Sequence, residues 1–415
     1  MATDAYSVLN KSVIDTDLRK EVYQRFFWNK FTGFPKVNPT TQKWTLTGSP
    51  IERFAKFKLT GRNQLMISML RNVYGYGKDG SATLLSNEED LSFLYAKLFV
   101  HLKRQGISLP DEVEAEKINW MKIAKDYQPA LVRWFAGYLN SDVSAAIYEG
   151  YSRHITAATA SKGLGITKRY NKNNWFWDGT NKNFTTNEQT FSYTSATWKQ
   201  AIVDGLDTLD TADVFNMDLL EALTPMVSAS NIIPWSLDGE DIYPLIIHSR
   251  QMATLRQSNY WSRDVATAGL RGKTNPIFNY AVAKLGKFLI FVDDVIVRLP
   301  YWAQASTLNY FDYSAAVNVG DAAGQYEKVQ LPDTTSQDAA GAILVGASAV
   351  GETLFSDLEY AKESDDYGMV KSLAAKRFYG FNRMDYFDEE IVASGGTTPT
   401  DQELPQSAII NTYVS

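Results

Sequence analysis

Apolar and polar residues alternate with a period of two in several stretches near the start of the chain, a pattern typical of strands with one wet face. The alternating apolar positions are Phe57 and Leu59, then Leu65, Ile67 and Met69, then Ala96, Leu98, Val100 and Leu102. A turn-rich segment, Gly75 to Gly80, separates the second group from the third. Residues 55–105 are therefore predicted to form a long hairpin, whose arms would reach roughly 60 Å at about 3.3 Å per residue. Such a hairpin has little core of its own.

Helical patterns flank this hairpin. Asp17 to Phe31 places Leu18, Val22, Arg25, Phe26 and Asn29 on one side, and Gly33 and Pro35 then end the pattern. The following stretch, residues 36–49, is rich in Thr, Pro, Asn and Gly. It is predicted to be extended, poorly self-packed chain that packs against something else.

A second helical region follows the hairpin. Ser108 and Asp111 have the spacing of a helix cap, and Pro129 is predicted to interrupt that helix. From Leu131 to Ile147 the apolar residues recur at helical spacing, and Gly150 ends the run. The second part is predicted to be a long amphipathic helix.

The rest of the chain mixes both element types, so an α+β fold is predicted. Residues 161–197 are polar and Asn-rich around Trp175, which favours an irregular surface excursion. Further predicted elements are a helix over Phe215 to Leu223, a buried strand over Tyr243 to His248, a helix over Gln251 to Ala268, a strand pair over Phe288 to Val297, a linker over Ser394 to Pro405 and a strand-forming tail over Ala408 to Val414.

Composition narrows the function classes. The 415 residues include no cysteine, which excludes disulfides and thiolate metal sites. A formal net charge of −6 argues against a protein whose main function is to bind the phosphates of nucleic acid. The longest apolar run, Phe288 to Val297, is interrupted by two aspartates and is shorter than the roughly 20 residues a spanning helix needs, so no membrane contact is expected.

Two glycine-rich segments approach nucleotide-binding motifs without their context. Gly75 to Gly80 matches G-x-G-x-x-G, but no helical pattern follows, and Val100 and His101 stand where an acidic residue is needed. Thr267 to Thr274 nearly reproduces a P-loop, yet its leading glycine is Thr267 and Pro276 follows almost at once. A hairpin tip is the preferred interpretation of the first segment, and nucleotide binding is not expected at either.

Candidate catalytic and metal-binding residues are equally isolated. His101, His154 and His248 lie far apart in sequence, without partners at helical spacing. Asp293 and Asp294 are adjacent in an apolar strand, where side chains face opposite sides, so a bulge or turn that exposes both is favoured over an acid and base pair. The segment Gly346 to Val350 lacks the final glycine of a nucleophile elbow. We therefore expect no enzyme activity and no catalytic, cofactor-binding or metal-binding residues.

Four blocks, in order, resemble the major capsid proteins of tailed bacteriophages, specifically the branch of the N-four-type podophages. The blocks are "TLLSNEEDLSF" at 83–93, the segment from His248 to Asp294 with its Asn-Pro-x-Phe and Leu-Gly series, "ILVGASAV" at 343–350, and "DDYGMVKSLAAKRFYGFNRMDY" at 365–386. The region around Trp175 and the tail after Ser394 match no part of that family's pattern.

The resemblance implies the HK-type phage capsid fold and a subunit that self-assembles as hexamers and pentamers into an icosahedral head. It also implies location in the virion, after assembly in the host bacterial cytoplasm. The expected regions are an N-terminal arm at 1–54, an extended hairpin loop at 55–107, a peripheral domain with the spine helix and surface excursion at 108–197, an axial domain at 198–340, completion of the peripheral domain at 341–393, and a linker and C-terminal tail at 394–415.

Expected partners are other copies of the chain, a portal, a separate scaffolding protein, a possible cement protein, and packaged DNA contacted without specificity. The separate scaffold is expected because the segment before the hairpin is short for a coiled-coil scaffolding domain. Two alternatives stay open: another virion protein, such as a tail-tube or decoration protein, and a carbohydrate-active enzyme, suggested by the many Trp and Tyr residues. The enzyme would need two carboxylates facing each other roughly 5 to 10 Å apart, and no such pair is evident.

Overall fold

The fold is described from a computed structural model of the chain. It covers residues 16–37, 44–55, 64–70, 93–109, 123–152, 171–186, 208–237, 239–257, 283–293, 302–303, 307–308, 339–365, 370–384 and 405–414. Within these residues the helices are α1 (16–25), a short 3-10 helix (Phe27–Phe31), α2 (Ile123–Glu149), α3 (Met217–Ala229) and α4 (Ser249–Gln257).

The strands belong to two large sheets and three small ladders. They are β1 (Thr32–Gly33), β2 (Lys36–Val37), β3 (Trp44–Thr45), β4 (Ile51–Ala55), β5 (Gln64–Leu70), β6 (Phe93–Phe99), β7 (His101–Leu109), β8 (Asn174–Asp178), β9 (Asn183–Thr186), β10 (Trp235–Leu237), β11 (Glu240–Ile247), β12 (Ala283–Leu285), β13 (Phe288–Val292), β14 (Trp302–Ala303), β15 (Thr307–Leu308), β16 (Ala339–Val345), β17 (Val350–Asp365), β18 (Val370–Arg383) and β19 (Ser407–Tyr413).

The larger sheet has eight strands in the order β12-β13-β11-β16-β19-β8-β9, with β10 also paired to β11. Because strand side chains alternate between faces, neighbours in one strand enter different cores. Ile246 lies in the core that also contains residues of α1 and α2, whereas Leu245 lies in the core formed with α3 and α4. Both faces of this sheet are therefore covered by the chain itself. Asn216 caps the N-terminus of α3, and its side chain accepts a hydrogen bond from the backbone N–H of Leu219.

The smaller sheet has five strands in the order β1-β4-β17-β18-β7. Its centre is the long antiparallel pair β17 and β18, whose register shifts between Leu354 and Glu359. The long helix α2 lies against β18, β17 and β7. The Tyr379 hydroxyl of β18 donates to the Asp142 carboxylate of α2 at 2.6 Å, which ties helix to sheet.

The hairpin of β5 and β6 leaves this five-stranded sheet. Its strands pair antiparallel, with Ile67 opposite Ala96 and Leu65 opposite Leu98. The predicted antiparallel pairing of these two alternating stretches is present. At its base, Ile67, Ala96 and Leu98 form a small third core with Phe54 and Met384, so the base packs on its own chain.

Several predicted elements have different bounds in the structure. The second hairpin arm ends at Phe99, because His101–Leu109 pairs with β18 as a strand of the five-stranded sheet. Ser108 lies in this strand, so the predicted helix cap there is wrong. Pro129 does not interrupt the helix, since α2 runs through it; a helix tolerates the lost hydrogen bond when other contacts hold it. The predicted helical stretch Leu131 to Ile147 does lie within α2.

The prediction of an irregular surface excursion around Trp175 is also wrong. Trp175, Phe176 and Trp177 are 2%, 2% and 1% exposed and belong to β8, which pairs in parallel with β19. The predicted C-terminal strand is present, and it lies inside the eight-stranded sheet between β16 and β8. The region around Trp175 and the tail after Ser394, which did not match the capsid family's pattern, thus contribute neighbouring strands to one sheet.

The leading segment is more self-contained than expected. Leu18, Val22 and Phe26 are buried on one side of the first helical segment, as predicted, and they pack into the main core of their own chain. Arg25 and Asn29, predicted for the same side, are exposed. Of the strand pair predicted over Phe288 to Val297, the first strand is present and ends at Val292, and residues 294–297 lie outside the described residues. The tip of the hairpin, residues 71–92, lies outside the described residues.

Candidate functional site

Most segments tested as chemical motifs lie outside the described residues. These are Gly75 to Gly80, Thr267 to Thr274, His154 and Asp294. Of the other two histidines, His101 opens β7 and His248 directly follows β11. Across the described ranges, no group of three or more histidines and carboxylates is close enough to hold a metal ion.

Asp293, the described member of the aspartate pair, directly follows the strand β13. Its backbone N–H donates to the Ile247 carbonyl at 3.1 Å. Lys30 lies nearby, with its Nζ 3.7 Å from the Phe27 ring centre and 4.5 Å from that of Phe291. Burial lowers the pKa of Lys30 to about 8, although the charge of Asp293 opposes this shift. Asp293 therefore faces a lysine held among aromatic rings.

Ser348, the serine of the segment tested as a nucleophile elbow, has a structural role. Its φ of 51° lies in the left-handed region, and its hydroxyl donates to Glu52 at 3.1 Å. Glu52 also accepts the backbone N–H groups of Thr47 and Gly48 at 2.9 and 2.8 Å. Burial raises the pKa of Glu52, while these hydrogen bonds oppose the rise. One carboxylate thereby fixes two loops beside the five-stranded sheet.

The chemistry that sequence reasoning missed is a buried charge network inside that sheet. Glu352 of β17 is fully buried between two arginines. Arg53 of β4 approaches it at 2.6 Å, and Arg377 of β18 approaches it at 2.7 Å. Charges removed from water are tolerated only when they are paired and hydrogen-bonded. The network therefore joins three strands, and Arg53 lies 299 positions from Glu352 in the sequence.

The helix α1 enters the same network. The Tyr23 hydroxyl donates to Asp357 at 2.9 Å and accepts from Arg377 at 2.7 Å. Arg19 donates to the Leu358 carbonyl at 2.8 Å. Burial raises the pKa of Tyr23 to about 12. Burial alone would raise the pKa of Asp357 too, but Arg377 and the hydrogen bonds to the carboxylate hold it below its usual value.

The other face of the five-stranded sheet carries an exposed apolar patch, defined here as Leu102, Phe355 and Phe378. Phe378 lies between Arg377 and Tyr379 in β18, so its side chain points away from the charge network. It is paired with Leu102 of β7, and its ring centre is 5.2 Å from that of Phe355. Leu102 and Phe355 are 41% and 50% exposed.

Basic residues border this patch. Arg104 is exposed on β7, opposite Lys376 of β18, whose side chain is 52% exposed and lies 3.1 Å from Glu359. A contiguous apolar surface with a polar rim is typical of a protein interaction site. The arrangement can bind another protein surface.

The overall architecture matches solved phage capsids. No protein-family model and no curated protein matches the chain. The chain is similar to one from the capsid of Ralstonia phage GP4 (16% identity, TM-score 0.57) and to one from the acid-stable capsid of Helicobacter pylori bacteriophage KHP30 (10%, 0.59); each match covers 94% of this chain and 91% of that one. It is also similar to a chain of the cyanophage Pam1 capsid, at 14% identity and TM-score 0.52, with 85% of both chains covered.

The chain has a phage capsid fold. The α+β class and the HK-type capsid fold expected from sequence are confirmed, with four helices and several sheets among the described residues. Identities of 10–16% establish the fold alone. No helix of the described part of the chain is long and apolar enough to cross a membrane.

Proposed function

We propose that the chain is the major capsid protein of a tailed bacteriophage, which assembles as hexamers and pentamers into the icosahedral head that encloses the genome. The observation that carries this proposal is the capsid fold, which extends over 94% of the chain and over 91% of the GP4 capsid chain. A match over nearly the full length of both chains leaves little room for a separate catalytic domain.

The exposed surface of the hairpin also supports assembly. An isolated two-stranded hairpin is marginal in water, so the part of β5 and β6 beyond the small core at its base gains stability when a second molecule covers it. Met66 on that hairpin is 40% exposed, on the face away from the small core. Contacts of one surface with a different surface of the next copy close into rings when the rotation permits. Many modest contacts per subunit then add up to a stable shell.

The regions and partners follow as parts of the proposal. The proposed regions keep the bounds given above with two changes. The extended loop ends at Phe99, because β7 belongs to the five-stranded sheet. The strands β8, β9, β16 and β19 join β11 and β13 in the sheet assigned to the axial domain. A separate scaffolding protein and a portal complete the head, and a cement protein is a further candidate partner. The net charge of −6 suits a container that contacts DNA without holding it tightly.

Negative-stain electron microscopy of the expressed chain, alone and with the products of neighbouring genes in its genome, tests the proposal. We expect closed shells once the scaffolding protein is present. Open tubes would support the tail-tube alternative, and binding of single copies to shells built from another protein would support a decoration protein. A chain that stays monomeric beside all its neighbours contradicts the proposal.

A further inference from the structure

One buried amide holds the chain where it passes from the hairpin into the five-stranded sheet. Phe99 ends β6 and His101 begins β7, so the crossing takes a single residue. The side chain of Asn382, which is fully buried, accepts the Phe99 N–H at 3.2 Å and donates to the Phe99 carbonyl at 3.1 Å. Thr353 donates to the same carbonyl at 2.9 Å. The side chains of Asn382 and Thr353 thus bind both backbone groups of Phe99. This is the point at which the strand partner changes from β5 to β18.

The same residue is attached to the end of the long helix. The backbone of Asn382 forms an antiparallel bridge with Tyr151, just beyond α2. The Arg383 N–H donates to the Gly150 carbonyl at 2.8 Å. The ring of Tyr151 lies edge-on to the ring of Phe99 with 5.6 Å between centres. The end of α2, the end of β18 and the last residue of the hairpin therefore meet at Asn382.

Among the described residues, the hairpin base has few other contacts that constrain its direction. The core beneath it contains five buried residues, whereas each of the other two cores contains many more. A small apolar contact is non-directional, so it opposes separation of the hairpin more than rotation. Two hydrogen bonds from one planar amide, in contrast, fix an orientation, and each buried partner is costly to leave unsatisfied.

We propose that Asn382 is a positioning residue that sets the direction in which the hairpin leaves the subunit relative to α2, and thereby makes assembled shells uniform in size. This inference rests on the proposed capsid function. A hairpin that reaches the next copy converts a small angular error at its base into a displacement at its far end, which changes the angle between neighbouring copies.

Hydrogen exchange of the full-length unassembled chain and electron microscopy of assembled particles test the inference together. In Asn382→Ala we expect exchange in β6 to accelerate about tenfold, as for loss of one net hydrogen bond, with α2 unchanged. We expect particles of mixed diameter or open sheets. Asn411→Ala is the matched control: this asparagine is also buried and donates to the Trp175 carbonyl at 3.1 Å, but it lies in the eight-stranded sheet. It should leave β6 exchange and particle diameter unchanged.

Unchanged exchange in β6, or uniform particles of the original diameter from Asn382→Ala, would overturn the inference. If Asn382→Ala fails to fold, Thr353→Val removes one donor to Phe99 and Thr353→Ser restores it, so only the valine variant should broaden the particle sizes. If the unaltered chain forms no shells even beside its scaffolding protein, the capsid function fails, while the exchange experiment still decides whether the amide holds the hairpin.

Discussion

The two large sheets differ in how completely their own chain covers them. The eight-stranded sheet is buried on both faces, by the cores that contain Ile246 and Leu245. The five-stranded sheet is covered by α2 on one face and carries exposed Leu102 and Phe355 on the other. A surface that a chain leaves apolar is available to a partner. The exposed face of the second sheet is therefore the candidate surface for contact with another molecule.

The buried polar groups of the two sheets differ as well. Around β19 they are neutral amides: Asn171 donates to Ser407 at 3.0 Å, and Gln251 donates to Thr412 at 2.8 Å. Around β17 they are charges, with Glu352 between two arginines. A satisfied amide costs little to bury, whereas an ion pair loses its hydration and becomes very unfavourable when one partner is removed. The two sheets should therefore respond differently to loss of one polar partner.

The largest expected effect comes from breaking the charge network. Arg377→Met keeps most of the buried volume but leaves Glu352 and Asp357 without that cation, so we expect the free energy of unfolding to fall by about 3–5 kcal/mol. Lys376→Met, one residue away on the exposed face, should cost at most about 1 kcal/mol. Urea denaturation of the unassembled chain measures both. Equal effects would mean that the network contributes no more than a surface ion pair.

A smaller effect is expected in the eight-stranded sheet. Ile410 is fully buried in β19, and Ile410→Val removes one methylene group, for which we expect a loss of about 1 kcal/mol. Ile233→Val makes the same change at a side chain that is 56% exposed and should be nearly neutral. The same denaturation experiment measures the difference. A neutral Ile410→Val would contradict the description of β19 as an integral core strand.

Sequence reasoning succeeded where burial follows local pattern. The apolar run at Tyr243 to His248 identified β11, and helical spacing from Leu131 to Ile147 identified most of α2. Apolar residues at every second position, such as Leu65 and Ile67 or Ala96 and Leu98, predicted the hairpin strands. In each case the residues that face one core are neighbours along the chain.

It failed where the partner is remote. Asn171, Asn173 and Asn174 made the surroundings of Trp175 look like a surface loop, yet these amides are buried because residues 405–411 satisfy their hydrogen bonds. The hairpin was predicted to be too long because β6 and β7 share one alternating pattern. A period of two does not reveal that the strand partner changes from β5 to β18. Arg377 and Glu352 have no local signal beyond alternation in their strands, so the network could not be predicted.

Acid should weaken the charged network specifically. The pKa of Asp357 is lowered in the folded chain, so its stabilising contribution is present above the usual value of 3.8 and is lost as the pH falls through the lowered pKa. Asp357→Asn should therefore be less stable than the unaltered chain at pH 7, and the gap should narrow below pH 4. Denaturation at several pH values measures it. A gap independent of pH would show that the carboxylate charge is not what stabilises the sheet.

The smallest effect on stability should accompany a large effect on assembly. Phe355 is half exposed, so Phe355→Ser should change the free energy of unfolding by only about 0.5 kcal/mol, mainly through its edge-on contact with Phe378. If another copy covers the patch, the same change should sharply reduce the yield of shells in sedimentation. Ile233→Ser, at an equally exposed position beside the eight-stranded sheet, is the control. Equal losses of yield from both variants would remove the distinction between the two sheets, because exposure alone would then explain them.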